Sequence, residues 1–182
     1  MGRDKLFLEA GRVPLFERVH RVLKEVFDDL IIVANNAEWF DTYDTPVMPD
    51  LIPGKGALGG LYTALKCVST DSVFCFASDM PFLNSRLIRY MIKKSTMGDV
   101  IIPRTSDGLQ PLHAIYSKAC LEPIENLISR GNLKIVDFFT EVNVIYVTER
   151  EIRDHDPSLK SFMNVNTEED LRRAEVLLAQ DV

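Results

Sequence analysis

The chain has 182 residues, of which 46% are hydrophobic and 26% are charged, and its formal net charge is −6 at pH 7. The length predicts a single domain over residues 1–182, and the composition is typical of a globular protein rather than a disordered or fibrous one. The negative charge argues against a polyanionic partner, so we expect no nucleic acid to bind. No apolar stretch exceeds five residues, far below the roughly 20 of a transmembrane helix. The charged first residues resemble no secretory signal, so we expect a cytoplasmic protein without a membrane partner.

The predicted elements of the first half alternate between helices and apolar strands. A helix behind Pro14, a favoured first helical residue, precedes a strand at residues 30–34. The same unit repeats as a helix at 58–68 and a strand at 72–77, and Asn84 is predicted to cap the next helix. Strands without polar alternation, joined by helices, are typical of parallel sheets. This half therefore predicts an α/β fold, a mostly parallel sheet with helices on both faces.

The second half is less regular. Strands are predicted at residues 112–116 and 144–147, and between them a helix that Gly131 closes. Thr167, with Asp170 three residues later, indicates a capping-box start for the last helix. The cysteine spacings fit neither a zinc pair nor a disulfide framework, so we expect buried, reduced thiols at Cys67, Cys75 and Cys120.

Polar residues follow the predicted strands, where parallel sheets bind their ligands. Asn35 follows the first strand, as a ligand contact or as an ordinary turn residue. Asp79 comes directly after an apolar strand, well placed to hold Mg²⁺ beside the phosphates of a ligand. The alternative is that Asp79 caps the next loop, although Asn84 already supplies the helix cap.

Three further features have both a functional and a plain structural interpretation. Four glycines within residues 54–60 allow backbone N–H groups to approach a ligand, or form a flexible loop. Arg3 and Lys5 make a cationic spot that either contacts phosphate or is a solvated end. His113, in a short strand after Gln110, is more typical of a hydrogen-bonded structural residue than of a catalyst.

Taken in chain order, several segments together resemble the molybdenum cofactor guanylyltransferase family over nearly the whole chain. They are Met1-Gly2-Arg3-Asp4-Lys5, Asp50 ahead of Gly56-Ala57-Leu58-Gly59-Gly60, Ser78-Asp79-Met80-Pro81, Gln110-Pro111-Leu112 and Asn164-Val165-Asn166-Thr167. The resemblance implies a Rossmann-like nucleotidyltransferase fold. It also implies an enzyme that joins the guanylyl part of GTP to the terminal phosphate of molybdopterin and releases pyrophosphate.

The resemblance implies a role for each matching residue. Lys5 and Asp79 would be catalytic, Lys5 on the GTP phosphates with Arg3, and Asp79 on Mg²⁺. The nucleotide would further contact Asn35, Asp50, Gly56, Leu58, Gly59 and Gly60. Molybdopterin, or the molybdenum cofactor, would lie beside Gln110, Pro111, Asn164 and Asn166. Molybdenum insertion proteins and molybdoenzyme chaperones are further implied partners.

Two features leave alternative functions open: which nucleotide base the protein binds, and the missing start of the family's N-terminal loop. A cytidylyltransferase acting on molybdopterin, or another small-molecule nucleotidyltransferase, would share the fold. Asp50 favours guanine, since a carboxylate accepts from both N1–H and the amino group, which cytosine does not offer. The family begins with an apolar strand and a Leu-Ala-Gly-Gly-x-Ser-x-Arg loop, whereas this sequence starts at the Met-Gly that ends it. We therefore expect a longer native gene product; the alternative is an inactive nucleotide-binding relative acting as an accessory protein in cofactor delivery.

Overall fold

The computed structural model describes residues 9–10 and 13–180. The predicted phosphate contacts Arg3 and Lys5 lie outside these residues, so their roles stay predictions. Among the described residues, no helix combines the length and the apolar character that a bilayer crossing needs.

The described elements alternate between helices and short strands. The α-helices are α1 (Leu15–Lys24), α2 (Gly56–Cys67), α3 (Ser85–Lys93), α4 (Leu121–Ser129), α5 (Glu149–Arg153) and α6 (Glu168–Gln180). The strands are β1 (Glu9–Ala10), β2 (Val13–Pro14), β3 (Ile32–Val33), β4 (Val47–Met48), β5 (Ser72–Phe76), β6 (Val100–Thr105), β7 (Gly108–Leu109), β8 (His113–Ser117) and β9 (Val144–Thr148). Short 3₁₀ helices occupy Ala37–Phe40, Lys118–Cys120, Ile135–Glu141 and Lys160–Phe162.

The strands form one larger sheet and two strand pairs. β5, β8 and β6 lie side by side in the five-stranded sheet, and β7 and β9 both pair with β6. The pairings β3 with β4 and β6 with β9 are parallel. β8 runs antiparallel to both β5 and β6, so the sheet is mixed where we predicted mostly parallel pairing. The chain passes from β6 to β8 through the short strand β7, with no helix between them. Parallel pairing of β6 and β8 would need a long crossover connection, so the two strands run antiparallel.

Helices cover both faces of the larger sheet, as predicted. Successive side chains of β8 point to opposite faces of the sheet, and those on each face pack against helices. Tyr116 packs with Leu61 of α2 and Ile124 of α4. Ile115 packs on the other face with Leu87 of α3. The α/β class with a Rossmann-like layering is confirmed.

Most predicted boundaries hold, with two corrections. The Asn84 side chain accepts hydrogen bonds from the backbone N–H groups of Arg86 (2.9 Å) and Leu87 (3.3 Å), which confirms the cap of α3. The apolar run at 30–34 gives only a two-residue strand, half-buried rather than buried. All three cysteines are free thiols, but only Cys120 is buried as predicted: Cys67, the last residue of α2, is exposed, and Cys75 is partly buried.

Candidate functional site

Asn35 and Asp50 lie together at the carboxyl ends of β3 and β4. The parallel register pairs Val33 with Met48, so the residues two positions further on meet at one edge. The Asn35 amide Nδ2 donates to Asp50 Oδ2 at 3.1 Å, and the Asp50 backbone N–H donates to Asn35 Oδ1 at 3.0 Å. This pair fixes a carboxylate, still with spare acceptor capacity, at the end of the strands where parallel sheets commonly bind ligands.

The glycine-rich loop leads into α2 directly after this pair. Gly54 (φ 76°) and Gly56 (φ 54°) have left-handed backbone, which glycine adopts without steric cost. A Cβ on Gly59 would stand 2.7 Å from Cβ of Lys55, so a side chain would push the loop off the helix. Gly60 has no such neighbour within 4 Å. Leu58 is fully buried and anchors the start of α2 in the core.

Thr63 joins the Asp50 segment to α2, and sequence reasoning missed it. Its hydroxyl accepts the Leu51 N–H at 3.0 Å and donates to the Gly59 carbonyl at 2.9 Å. Thr63 is fully buried. A hydroxyl on the otherwise apolar buried face of α2 was the signal that could have revealed it.

Asp79 lies in the turn after β5 and is half-buried. Its backbone carbonyl accepts the Val165 N–H at 2.8 Å, so the predicted metal residue and the segment from Asn164 to Asn166 are neighbours. Val165 is buried, whereas Asn164 and Asn166 are exposed beside it. The structure thus brings together two segments that lie more than 80 residues apart in sequence.

The segment from Gln110 to Leu112 lies next to the end of β5. The Leu112 carbonyl accepts a hydrogen bond of 3.0 Å from the N–H of Ala77, and Ala77 lies two residues before Asp79 in the chain. Pro111 and Leu112 also line a surface groove that reaches the start of α2. Its walls are mainly apolar, formed by Ala57, Leu109, Pro111, Leu112, Leu133 and Ile135, with Lys134 among its lining residues.

The sequence contained no local pattern for the far wall of this groove. Leu133 and Lys134 follow α4 and reach the groove only through tertiary packing. Leu133 is one of the large exposed apolar side chains, with 42% of its surface accessible. An exposed leucine beside a lysine is an ordinary loop pair in sequence.

His113 is buried, but the hydrogen bonds expected for a structural histidine are missing. Within the described part of the chain, neither ring nitrogen has a hydrogen-bond partner. Phe74 and Phe162 pack their rings against the imidazole, each with a centroid distance of 5.1 Å. Burial lowers the pKa of His113 to about 3, so the ring is neutral at physiological pH.

Binding of a divalent cation at this site would depend on the Asp79 carboxylate and on oxygen atoms of a bound substrate. The described residues hold no group of three or more His, Cys, Asp or Glu side chains suited to a metal ion. Mg²⁺ is commonly held by one or two carboxylates together with substrate phosphates and water. The single carboxylate at this strand end fits that pattern.

Comparisons with known proteins show the family of the chain. The family model for the MobA-like NTP transferase domain matches residues 1–143. A probable molybdenum cofactor guanylyltransferase from Pelotomaculum thermopropionicum is 41% identical over 177 residues, 97% of this chain and 86% of the relative. A molybdenum cofactor guanylyltransferase from Desulfosudis oleivorans is 33% identical over 178 residues, 97% of this chain and 88% of the relative.

Solved structures show the same fold. Molybdopterin-guanine dinucleotide biosynthesis protein A from Archaeoglobus fulgidus superposes with a TM-score of 0.83 at 28% identity, covering 97% of this chain and 91% of that chain. The 2-C-methyl-D-erythritol 4-phosphate cytidylyltransferase from Thermus thermophilus gives 0.74 at 13% identity, over 98% and 95% of the two chains, a likeness of fold alone. From the family model and the relatives that match nearly its whole length, the chain belongs to the MobA-like molybdenum cofactor guanylyltransferase family.

Proposed function

We propose that this protein transfers GMP from GTP to the terminal phosphate of molybdopterin, forming the guanine dinucleotide cofactor and pyrophosphate. The observation that carries the proposal is the Asn35–Asp50 pair at the ligand-binding edge beside the glycine-rich loop. A carboxylate there is complementary to the N1–H and the amino group of guanine. The names of the relatives support the same reaction.

The reaction needs alignment more than acid–base chemistry. A phosphate monoester has a second pKa of about 6 and is largely ionised at pH 7, so no general base is required. An oxygen of the molybdopterin phosphate bonds to the α-phosphorus of GTP. At the same time the bond between that phosphorus and the oxygen shared with the β-phosphate breaks. Pyrophosphate leaves with that oxygen. Holding the two substrates in line supplies much of the rate enhancement.

Charge neutralisation is the second requirement. We assign Asp79 as the residue that holds Mg²⁺, which when bound would neutralise charge on the nucleotide phosphates. Lys5 and Arg3 are assigned to the same phosphates by the resemblance of the N-terminal segment to the family.

We assign molybdopterin to the groove between Pro111 and Leu133. Its apolar walls suit the flat face of a pterin ring, and Lys134 offers a cation to the acceptor phosphate. Gln110 lies at one end of the segment that forms the wall. Asn164 and Asn166 flank Val165, whose N–H donates to the Asp79 carbonyl, so we assign them to the molybdopterin side next to the proposed metal residue.

The test is pyrophosphate release from GTP in the presence of molybdopterin and Mg²⁺, with CTP and ATP as matched nucleotides. We expect turnover with GTP that requires the acceptor. Faster turnover with CTP would make the protein a cytidylyltransferase. GTP binding by calorimetry without any transfer would favour an accessory nucleotide-binding protein. Transfer of the product to molybdenum insertion proteins or molybdoenzyme chaperones, and a cytoplasmic location, stay proposals.

A further inference from the structure

Tyr116 of β8 reaches from the core to the wall of the groove. Its phenol Oη donates a hydrogen bond of 2.7 Å to the backbone carbonyl of Pro111. Tyr116 is fully buried, and its ring packs near Phe138 with a centroid distance of 6.3 Å. The hydroxyl is therefore directed from the core towards the groove-lining segment above it.

The rest of that segment is held on either side of Pro111. The Gln110 N–H donates to the Pro103 carbonyl at 3.1 Å, and the Gln110 side chain reaches Thr105 Oγ1 at 3.3 Å. The Leu112 carbonyl accepts the Ala77 N–H. Proline has no N–H, so the Pro111 backbone can be held only through its carbonyl. Tyr116 supplies that bond.

We propose that Tyr116 is a positioning residue for the acceptor substrate: its hydroxyl fixes the Pro111 wall of the groove in the shape that receives molybdopterin. This inference depends on the proposed function. Tyr116 does not touch the substrate, so it acts through Pro111 and not on the reacting atoms. Burial raises the pKa of its phenol well above 10, so the hydroxyl remains a donor at any working pH.

The proposal predicts an effect on one substrate only. Tyr116→Phe keeps the ring and its packing but removes the hydroxyl. We expect KM for molybdopterin to rise about three- to tenfold, the range of one neutral hydrogen bond. KM for GTP and kcat at saturating acceptor should stay within about twofold, since the Asn35–Asp50 pair is on another segment.

Tyr90→Phe is the matched control. Tyr90 Oη donates at 2.6 Å to Glu151 Oε1, a charge-assisted bond between α3 and α5 away from the groove. We expect this variant to lower Tm without changing either KM. If Tyr116→Phe also lowered Tm but left KM for molybdopterin at the wild-type value, Tyr116 would be structural only and the proposal would be wrong.

Failure of the proposed function gives a different result. Wild-type protein that releases no pyrophosphate with any nucleotide would contradict the reaction. The positioning role is then decided by calorimetric titration with molybdopterin below the Tm of both variants. A weaker Kd for Tyr116→Phe than for Tyr90→Phe supports the role, and equal Kd values, or no binding to wild type, overturn it.

Discussion

Asn35 and Asp50 bind each other through two hydrogen bonds of 3.1 and 3.0 Å, one from the amide to the carboxylate and one from the Asp50 backbone to the amide. The two residues come from neighbouring parallel strands, and neither bond would form if β3 and β4 were out of register. The carboxylate is therefore oriented before any nucleotide arrives. A preorganised acceptor loses less free energy on binding than a mobile one.

Asp50→Asn should reduce the preference for GTP. The change keeps an oxygen for the Asn35 amide and removes the charge, so the loop stays in place while guanine loses a charged acceptor. We expect GTP affinity to fall by roughly tens to a hundredfold, or about 2 to 3 kcal/mol, with little change for CTP. Calorimetry with both nucleotides measures this. Asp41→Asn, at an exposed position, is the control, and equal losses for GTP and CTP would contradict the guanine assignment.

Thr63→Val should impair GTP binding without touching the ligand. Valine matches the shape of threonine but leaves the Leu51 N–H without its acceptor, and the loss of this hydrogen bond costs about 0.5 to 1.5 kcal/mol in the free energy of unfolding. Because Leu51 follows Asp50, we expect KM for GTP to rise more than KM for molybdopterin.

Thr63→Ser keeps the hydroxyl and should restore KM for GTP. Thr70→Val removes a hydroxyl bonded to the Ser72 carbonyl at an exposed site and serves as the control. A Thr63→Val enzyme with both KM values unchanged would show that Thr63 only stabilises α2.

The sequence was sufficient to predict elements whose determinants are local. Asn84 and Thr167 cap helices through side chains within three residues, and the apolar runs ended where the polar edge residues began. The antiparallel direction of β8 against β6 follows from a connection too short to hold a crossover helix, which the apolar pattern of the strands alone does not show. The pairing of β8 with β5 joins distant parts of the chain, so the sequence pattern could not predict it.

In the candidate site, too, residues with a local sequence signal were predicted, and residues whose role depends on a distant partner were not. Asn35 and Asp79 were predicted because polar residues after apolar strands are typical of a ligand-binding edge, and Asp50 because the segment ahead of the glycine-rich loop resembles the family. Thr63 and Tyr116 were missed because a hydroxyl on a buried apolar face looks like ordinary core until its partner is known. The partners, Leu51 and Pro111, are defined only by the fold.

Asp79→Ala separates metal binding from turn formation. If Asp79 holds Mg²⁺, guanylyl transfer should be almost abolished while Tm stays close to the wild-type value, because the carboxylate would then serve the ion and not the turn. If it is a turn residue, stability should fall by about 1 kcal/mol with activity retained. Thermal melting and pyrophosphate release distinguish these outcomes, with Asp71→Ala before β5 as the control. Retained turnover would refute the metal assignment.

His113 should make the protein less stable in mild acid. Burial between aromatic rings lowers its pKa to about 3, whereas the unfolded chain has the ordinary value of 6.5. Between those values the unfolded state binds the extra proton, so the free energy of unfolding falls as pH drops below 6.5 and levels off below about 3. At pH 5 the loss is about 2 kcal/mol, from 1.4 kcal/mol per unit.

His113→Leu tests this prediction because leucine fills the apolar site without a titrating group. Denaturant unfolding between pH 5 and 7 should give a flatter curve for the variant than for wild type. That window lies above the range in which Glu151, whose pKa is lowered to about 2, begins to lose its own contribution. If His113→Leu kept the wild-type slope, the buried imidazole would not be the acid-sensitive group.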